Sequence, residues 1–391
     1  VDLRTRIGAE RLCAEPTLLN AERIGLVTNY TGVMPDLRRS IDALVAAGVP
    51  VTALFGPEHG LRGTTQAGES EPATSDPESG LPLFDTYQHS GADLDALVSS
   101  AGIDALLLDL QDIGTRFYTY IWTMFDLLVS AARLDVPFGV LDRPNPLGGG
   151  SVEGPLLDPS FASFVGRTPI PVRHGLTMGE LARHLNSAAV PRAAGRPAEL
   201  TVVTMTGWAR HTYFDGTGLP WVMPSVNIPT PDTALAYPGT GLFEGTNLSE
   251  GRGTTRPFEL IGAPYVDGKW AAALNERGLP GVRFRDVSFT PTFHKYAGEV
   301  LRGVQLHVSD RDAFRPVRTA VTMLHTLRLL YPDEFGWRAD GPGFSGTHFV
   351  DLLWGSSALR DTVDAGEDPE QLLHGTETTY PSWAGDEVLL Y

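Results

Sequence analysis

A repeated beat in the first half of the chain limits its fold more than any other feature. Arg23 to Tyr30 is a short apolar run ending in polar residues, Ser40 to Gly48 carries Ile41, Leu44 and Val45 at helical spacing with Gly48 as a stop, and Val49 to Phe55 is apolar again. The pattern predicts strand, helix, strand. It recurs with Leu94 to Ala101 as helix, Ala105 to Leu110 as strand, Tyr118 to Leu134 as a long amphipathic helix and Pro137 to Asp142 as strand. Thr177 to Asn186 then reads as a helix with Thr177 as N-cap and Glu180 closing a capping box, and Leu200 to Met205 as a further strand. Strands alternating with helices make βαβ units, whose right-handed crossovers build a parallel sheet covered on both faces.

The rhythm breaks after Gly207. Trp208 to Pro264 is rich in Gly, Pro, Thr and Asn with little periodicity, and ordering so much polar loop is costly unless it binds something. Beyond it, a helix over Trp270 to Arg277, strands at Val282 to Phe289 and Gly303 to Val308, and a long helix from Val317 to Leu330 outline a smaller α+β region. The expected division is 1–228 and 229–391, in line with a prior of roughly 150 residues per domain. No internal repeat is present.

Charge and cysteine content narrow the function. With 30 Lys plus Arg against 47 Asp plus Glu, the net charge of -17 argues against a protein held to nucleic-acid phosphates. The single cysteine, Cys13, excludes an internal disulfide and a Cys-rich metal site. No apolar run approaches the ~20 residues of a membrane span; Ile121 to Leu134 is interrupted by Asp126, Ser130 and Arg133. A soluble protein is expected, either cytoplasmic or exported with its signal removed. Oligomeric state is open at this level.

In an open parallel sheet, ligands bind beyond the carboxyl ends of the strands. Those ends carry Asn29, then Glu58 and His59, then Asp109 and Asp112, then Asp142, Arg143 and Asn145. Four strands thus deliver polar or ionisable side chains to one edge. Glu58, in Gly56-Pro57-Glu58-His59-Gly60, is the first candidate for chemistry, because a glutamate beside an apolar strand end can be tuned by desolvation to act as general acid. The alternative is a carboxylate that caps the next element or pairs with Arg62. His59 either orients substrate and tunes Glu58 or points the other way along an extended backbone. The segment Gly60 to Gly80, with Arg62, Gln66 and Glu69, is a candidate flap over that edge.

Asp109 or Asp112 could supply the second carboxylate of a glycosidase pair; equally, Asp112 could cap the following helix and Asp109 pair with Arg116 or Arg143. Phe117, Tyr118, Tyr120 and Trp122 offer either a sugar-stacking face or core. Arg143 and Asn145 frame a rigid turn suited to carboxylate recognition or to a loop-stabilising ion pair. His174 precedes the capped helix. Asn227, and the group Glu244, Asn247, Glu250 and Arg252, are the polar candidates of the later loops. No G-x-G-x-x-G follows the first strand, and there is no Walker A, H-E-x-x-H or G-x-S-x-G pattern; no metal or cofactor is required by the sequence.

Seven motifs in order resemble the NamZ family of exo-β-N-acetylmuramidases. They are Phe55 to Gly60, Asp109 to Tyr120 with Trp122-Thr123, Leu141 to Pro146, Glu153-Gly154-Pro155, Arg173 to Thr177, Asn227 to Thr230, and Tyr237 to Gly253 with Pro257-Phe258-Glu259. The resemblance covers most of residues 24 to 265 and continues more weakly to the C-terminus. It implies a Rossmann-like N-terminal domain, a smaller C-terminal domain, an active site between them, and cofactor-free release of N-acetylmuramic acid from the non-reducing end of peptidoglycan-derived glycans. It also implies Glu58 as the catalytic acid. Asp112 is the first choice for its partner, with Glu69, Glu244 and Glu250 behind it. Arg62, Arg143 or Arg252 could clamp the lactyl carboxylate, and Asn29, Asn145 or Asn227 the N-acetyl group. Val226 and Gly241 depart from the family pattern, and neither touches a carboxylate. A non-catalytic glycan-binding protein, a glycosidase for another amino sugar, and a nucleotide-sugar enzyme are the competing readings.

Overall fold

The computed structural model describes residues 4–64, 74–339 and 346–391. Gln66 and Glu69 of the expected flap lie outside the described residues.

The parallel sheet forms as the periodicity predicts, with additions at its margins. Its strands are β1 (Ile24–Thr28), β2 (Val51–Gly56), β3 (Leu83–Asp85), β4 (Ala105–Asp109), β5 (Phe138–Leu141) and β6 (Leu200–Val203). The helices that precede and connect them are α1 (Gly8–Ala14), α2 (Ser40–Ala46), α3 (Gly91–Ser100), α4 (Tyr120–Leu134), α5 (Met178–Ala188) and α6 (Val190–Ala194). Strand order is β3-β2-β1-β4-β5-β6 with every pairing parallel, the doubly wound Rossmann arrangement. Side chains alternate across the sheet. Ile24, Leu26, Leu54 and Leu107 pack with Ile7, Leu12, Ile41 and Leu44 from α1 and α2 on one face. Val27, Phe55, Leu106 and Leu108 pack with Leu94, Leu127 and Leu181 from α3, α4 and α5 on the other. The capping box at Thr177 and Glu180 starts α5 as read from the sequence.

The second region holds α7 (Pro231–Thr240), β7 (Leu260–Ala263), α8 (Gly268–Glu276), β8 (Val282–Phe289), β9 (Leu301–Val308), α9 (Pro316–Leu330), α10 (Phe349–Trp354) and α11 (Ala358–Asp364). Its antiparallel sheet runs β7-β9-β8. Trp270, Val317, Leu324 and Trp354 belong to the same buried cluster as Phe55 and Leu106, so apolar packing is continuous from one sheet to the other.

Helix α7 falls in the stretch expected to be loop. Thr233 to Thr240 are all buried, so no polar face alternates with an apolar one, and Pro238 and Gly239 sit inside it. Gly239 is needed for packing: a Cβ there would lie 1.9 Å from the Pro316 carbonyl oxygen at the start of α9. The start of α7 was nevertheless marked, by Thr230 as N-cap and Pro231 in the first turn. Strand β3 is three residues long and α1 seven, too short for a periodic signal. Among the described residues, no helix is long and apolar enough to cross a membrane.

Arg116 joins the two regions. Its guanidinium is fully buried and donates to the carbonyls of Pro155 (2.8 Å), Ile170 (2.7 Å), Leu353 (2.9 Å) and Trp354 (2.8 Å). The last two are unpaired carbonyls at the C-terminal end of α10, where a cation is favoured. Replacement of Arg116 by Met would keep the volume and leave buried acceptors without donors. Arg116→Met is therefore expected to destabilise the fold by about 3–5 kcal/mol, read from the urea unfolding midpoint; a loss under about 1 kcal/mol, the scale of an ordinary substitution, would contradict this role.

Candidate active site

Because β1, β2, β4 and β5 are parallel, their carboxyl ends share one edge. Most of the polar groups delivered there are engaged by the protein itself. Asn29 Oδ1 accepts from Thr31 N (2.9 Å) and Thr31 Oγ1 (2.6 Å), and its Nδ2 donates to Tyr120 Oη (2.8 Å). Asp109 and Arg143 form a buried bidentate pair at 2.6 and 2.9 Å, and Arg143 also reaches the Val33 carbonyl at 3.0 Å. Asp142 accepts from Arg143 N (3.0 Å), Thr177 Oγ1 (2.8 Å), Gly179 N (2.8 Å) and Tyr391 Oη (2.7 Å). Asn145 bonds Leu176 O and Leu147 N, each at 3.0 Å. These groups tie the strand ends and the neighbouring loops together.

The end of β2 differs. Here the backbone is a turn, not the extended segment expected: Gly60 N bonds Pro57 O at 3.0 Å, and His59 and Gly60 both adopt left-handed φ, +71° and +72°. Such a conformation is uncommon for a residue with a Cβ and is often found at functional sites. The turn places Glu58, 6% exposed, on a pocket lined by Thr86 to His89, Thr119, Trp122, Thr123, Asp126, Phe164 and Arg167. The Thr119 hydroxyl donates to Glu58 Oε2. Burial first, then the negative charge of Glu58, pushes the Tyr87 phenol up to about 12. His59 is buried beside Glu58, and Arg62 is exposed at the end of the turn.

Several aromatic hydroxyls border Glu58. Burial raises Tyr120 and Tyr237 well above the usual phenol range, with the Glu58 charge contributing in both. Tyr120 also donates to Pro224 O at 2.6 Å. The Tyr118 ring meets Tyr120 and Tyr237 edge-on, at 5.0 and 6.1 Å between centroids. Asn227 Nδ2 is buried and makes no good hydrogen bond within the protein. Polar atoms left so are costly and mark places where a ligand or water can bond.

The expected partners of Glu58 are distributed elsewhere. Asp112 Oδ2 accepts from Gly114 N at 2.7 Å and faces His174 Nε2 at 3.2 Å. His174 Nδ1 accepts from Leu176 N at 3.2 Å, which places the ring proton on Nε2. Asp112 does not line the Glu58 pocket; among the described residues, the other carboxyl group there is Asp126. Burial pushes Asp126 up to about 6, with Arg167, 2.6 Å away, pulling the other way. The sequence presented Asp126 as one of three polar interruptions in an apolar helix. Its signal was the spacing Thr119, Trp122, Thr123, Asp126, which is one face of a helix.

The later loops contribute a separate charge cluster. Arg252 pairs with Glu244 and lies 3.4 Å from Glu250, which also meets His294 at 3.1 Å and Lys295 at 2.9 Å. Asn247 is engaged by Glu334 O (2.7 Å), Tyr265 Oη (2.9 Å) and Gly336 N (3.2 Å). Tyr237 links the two clusters electrostatically, since Glu244, Arg252, Glu58 and Glu250 all act on its phenol. Among the described residues, no three His, Cys, Asp or Glu side chains converge as a metal site.

Comparisons with known proteins bear on this geometry. Residues 24–232 match the family model described as exo-beta-N-acetylmuramidase NamZ, N-terminal, and residues 235–391 match its C-terminal counterpart. The peptidoglycan beta-N-acetylmuramidase NamZ of Bacillus subtilis (strain 168) is 45% identical over 363 residues, spanning 92% of this chain and 84% of that one. Two crystal structures of DUF1343 family proteins from Bacteroides fragilis NCTC 9343 superpose closely. One has a TM-score of 0.84 at 35% identity over 96% of each chain, the other 0.77 at 30% identity over 99% of each.

The Glu250 cluster yields a pH-dependent expectation. Burial alone would raise its carboxyl, but Lys295, then His294 and Arg252, outweigh it and hold the group down at about 2, against an ordinary 4.5. A depressed folded pKa contributes stability in full above the unfolded value and loses it as pH falls through the folded one. Lys295→Met should therefore cost about 3–5 kcal/mol at pH 7, and the gap from wild type should narrow between roughly pH 5 and pH 2. Urea unfolding at pH 7 and pH 3 measures it; a pH-independent gap would contradict the assignment.

Proposed function

The chain belongs to the NamZ family, and on that premise we propose that it is an exo-β-N-acetylmuramidase, hydrolysing terminal non-reducing N-acetylmuramic acid from peptidoglycan-derived glycans in bacterial cell-wall recycling. Glu58 is the general acid that protonates the leaving glycosidic oxygen through an oxocarbenium-like transition state. The observation that carries this reading is its position. It is the carboxyl group that the Rossmann-like sheet presents to a pocket at its carboxyl edge, on a left-handed turn, with the Thr119 hydroxyl fixing one oxygen.

Fixing the carboxyl before substrate arrives removes part of the orientational cost of the proton transfer. Residues 1–228 carry the acid and line its pocket, and 229–391 supply Tyr237, whose phenol feels the charge of Glu58 and of the Glu244, Glu250 and Arg252 cluster. Asn227 Nδ2, buried without a good hydrogen bond in the protein, is the candidate donor to the N-acetyl group. Arg62, Arg143 and Arg252 are the arginines considered for the lactyl carboxylate, and Arg143 and Arg252 are ion-paired with Asp109 and Glu244.

The test is turnover of a chromogenic MurNAc β-glycoside and of MurNAc-GlcNAc by wild type and Glu58→Gln. Wild type should release MurNAc, and the variant should lose about 10²- to 10⁴-fold in kcat with little change in KM. A variant of near wild-type kcat would remove Glu58 from the role. No release by wild type would favour a binding protein or another amino sugar.

A further inference from the structure

The pocket beside Glu58 holds a second carboxyl group that the family reading does not use. We infer that Asp126 is the general base of the reaction, drawing a proton from the attacking water while Glu58 protonates the leaving oxygen, so that hydrolysis inverts the anomeric centre. The inference rests on the proposed muramidase activity and adds to it the partner of Glu58 and the stereochemistry.

Helical geometry sets the spacing of the two groups. Glu58 is anchored on Thr119, and Asp126 follows seven residues later on the same polypeptide stretch. Seven residues are nearly two turns, only ~20° out of phase, so both positions share one face about 10 Å apart along the axis. Side chains lean towards the N-terminus of a helix, which brings the Asp126 carboxylate back over Trp122 and Thr123. Thr119 leans the same way, so the carboxyl groups stay on the order of 10 Å apart, well beyond the roughly 5–5.5 Å of retaining glycosidases and near the upper end of the roughly 6.5–9.5 Å of inverting ones. Trp122 and Thr123 line the pocket between them.

The surroundings of Asp126 suit a base. Arg167 holds Oδ2 at 2.6 Å, which fixes the carboxylate and leaves Oδ1 for a water. The side chain is 16% exposed, so the group is shielded but not sealed. Burial raises its pKa to about 6, still below neutral pH, and makes the carboxylate a stronger proton acceptor than an ordinary aspartate. The remaining titratable groups of the pocket are Glu58, Tyr87 and His89. The step balances: the water oxygen bonds to C1 as the C1–O bond breaks, the water proton passes to Asp126, and the Glu58 proton passes to the departing alkoxide. Exchange with solvent restores both groups.

The decisive measurement is the anomer first released from MurNAc-GlcNAc by wild type, followed by proton NMR before mutarotation, beside Asp126→Asn. The α anomer is expected first. Asp126→Asn should keep its unfolding midpoint and KM and lose about 10²- to 10⁴-fold in kcat, and azide should restore turnover as the α-glycosyl azide. A first-formed β anomer overturns the proposal without touching Glu58 or the muramidase activity, and needs no variant to fold. A variant within about threefold of wild-type kcat, or one whose loss lies in KM alone, also overturns it, the latter because it marks uniform binding. If wild type releases no MurNAc, the activity and the proposal fall together.

Discussion

The buried pair between Asp109 and Arg143 is the interaction on which the rest of this structure depends. It joins the ends of β4 and β5, and through the Val33 carbonyl it also holds the loop leaving β1. A parallel sheet brings many polar side chains to one edge, and burying them is unfavourable unless each finds a partner. Here the partners are mostly internal. Removing either member of the pair would leave an uncompensated buried charge, which is far more damaging than losing a surface ion pair. Asp142 serves in the same way, tying β5 to α5 and to the C-terminal Tyr391.

Among the described residues, the end of β2 is where a carboxyl group of that edge lines a pocket. Glu58 and Asp126 line one pocket, and the charge of Glu58 reaches the buried phenols of Tyr120 on α4 and Tyr237 in the second region of the chain. The rigid edge and the strained turn at His59 are complementary: a left-handed residue with a side chain persists only where its surroundings fix it. Precision at Glu58 follows from the scaffold beneath it.

Legibility in the sequence followed the same physics. The strands and helices of the first half were readable because one face of each is apolar and the period is plain. Helix α7 was not, because Thr233 to Thr240 are buried on all sides and carry Pro238 and Gly239. The position of Glu58 at a strand end was readable from the alternation alone. What sequence could not separate was Asp109, Arg143 and Asn29, whose polar types fit a ligand as well as each other; only the coordinates show them bonded internally. Asp126 was hidden for the opposite reason, since one charge in an amphipathic helix has the same pattern as a solvated face.

The most direct measurement is a crystal structure of Glu58→Gln with MurNAc-GlcNAc bound. The account predicts the glycosidic oxygen within about 3.2 Å of the residue 58 side chain, with Asp126 on the opposite face of the muramic acid ring and a water between them. A disaccharide seated instead against Gln111 and Arg143, in the neighbouring pocket, would contradict it.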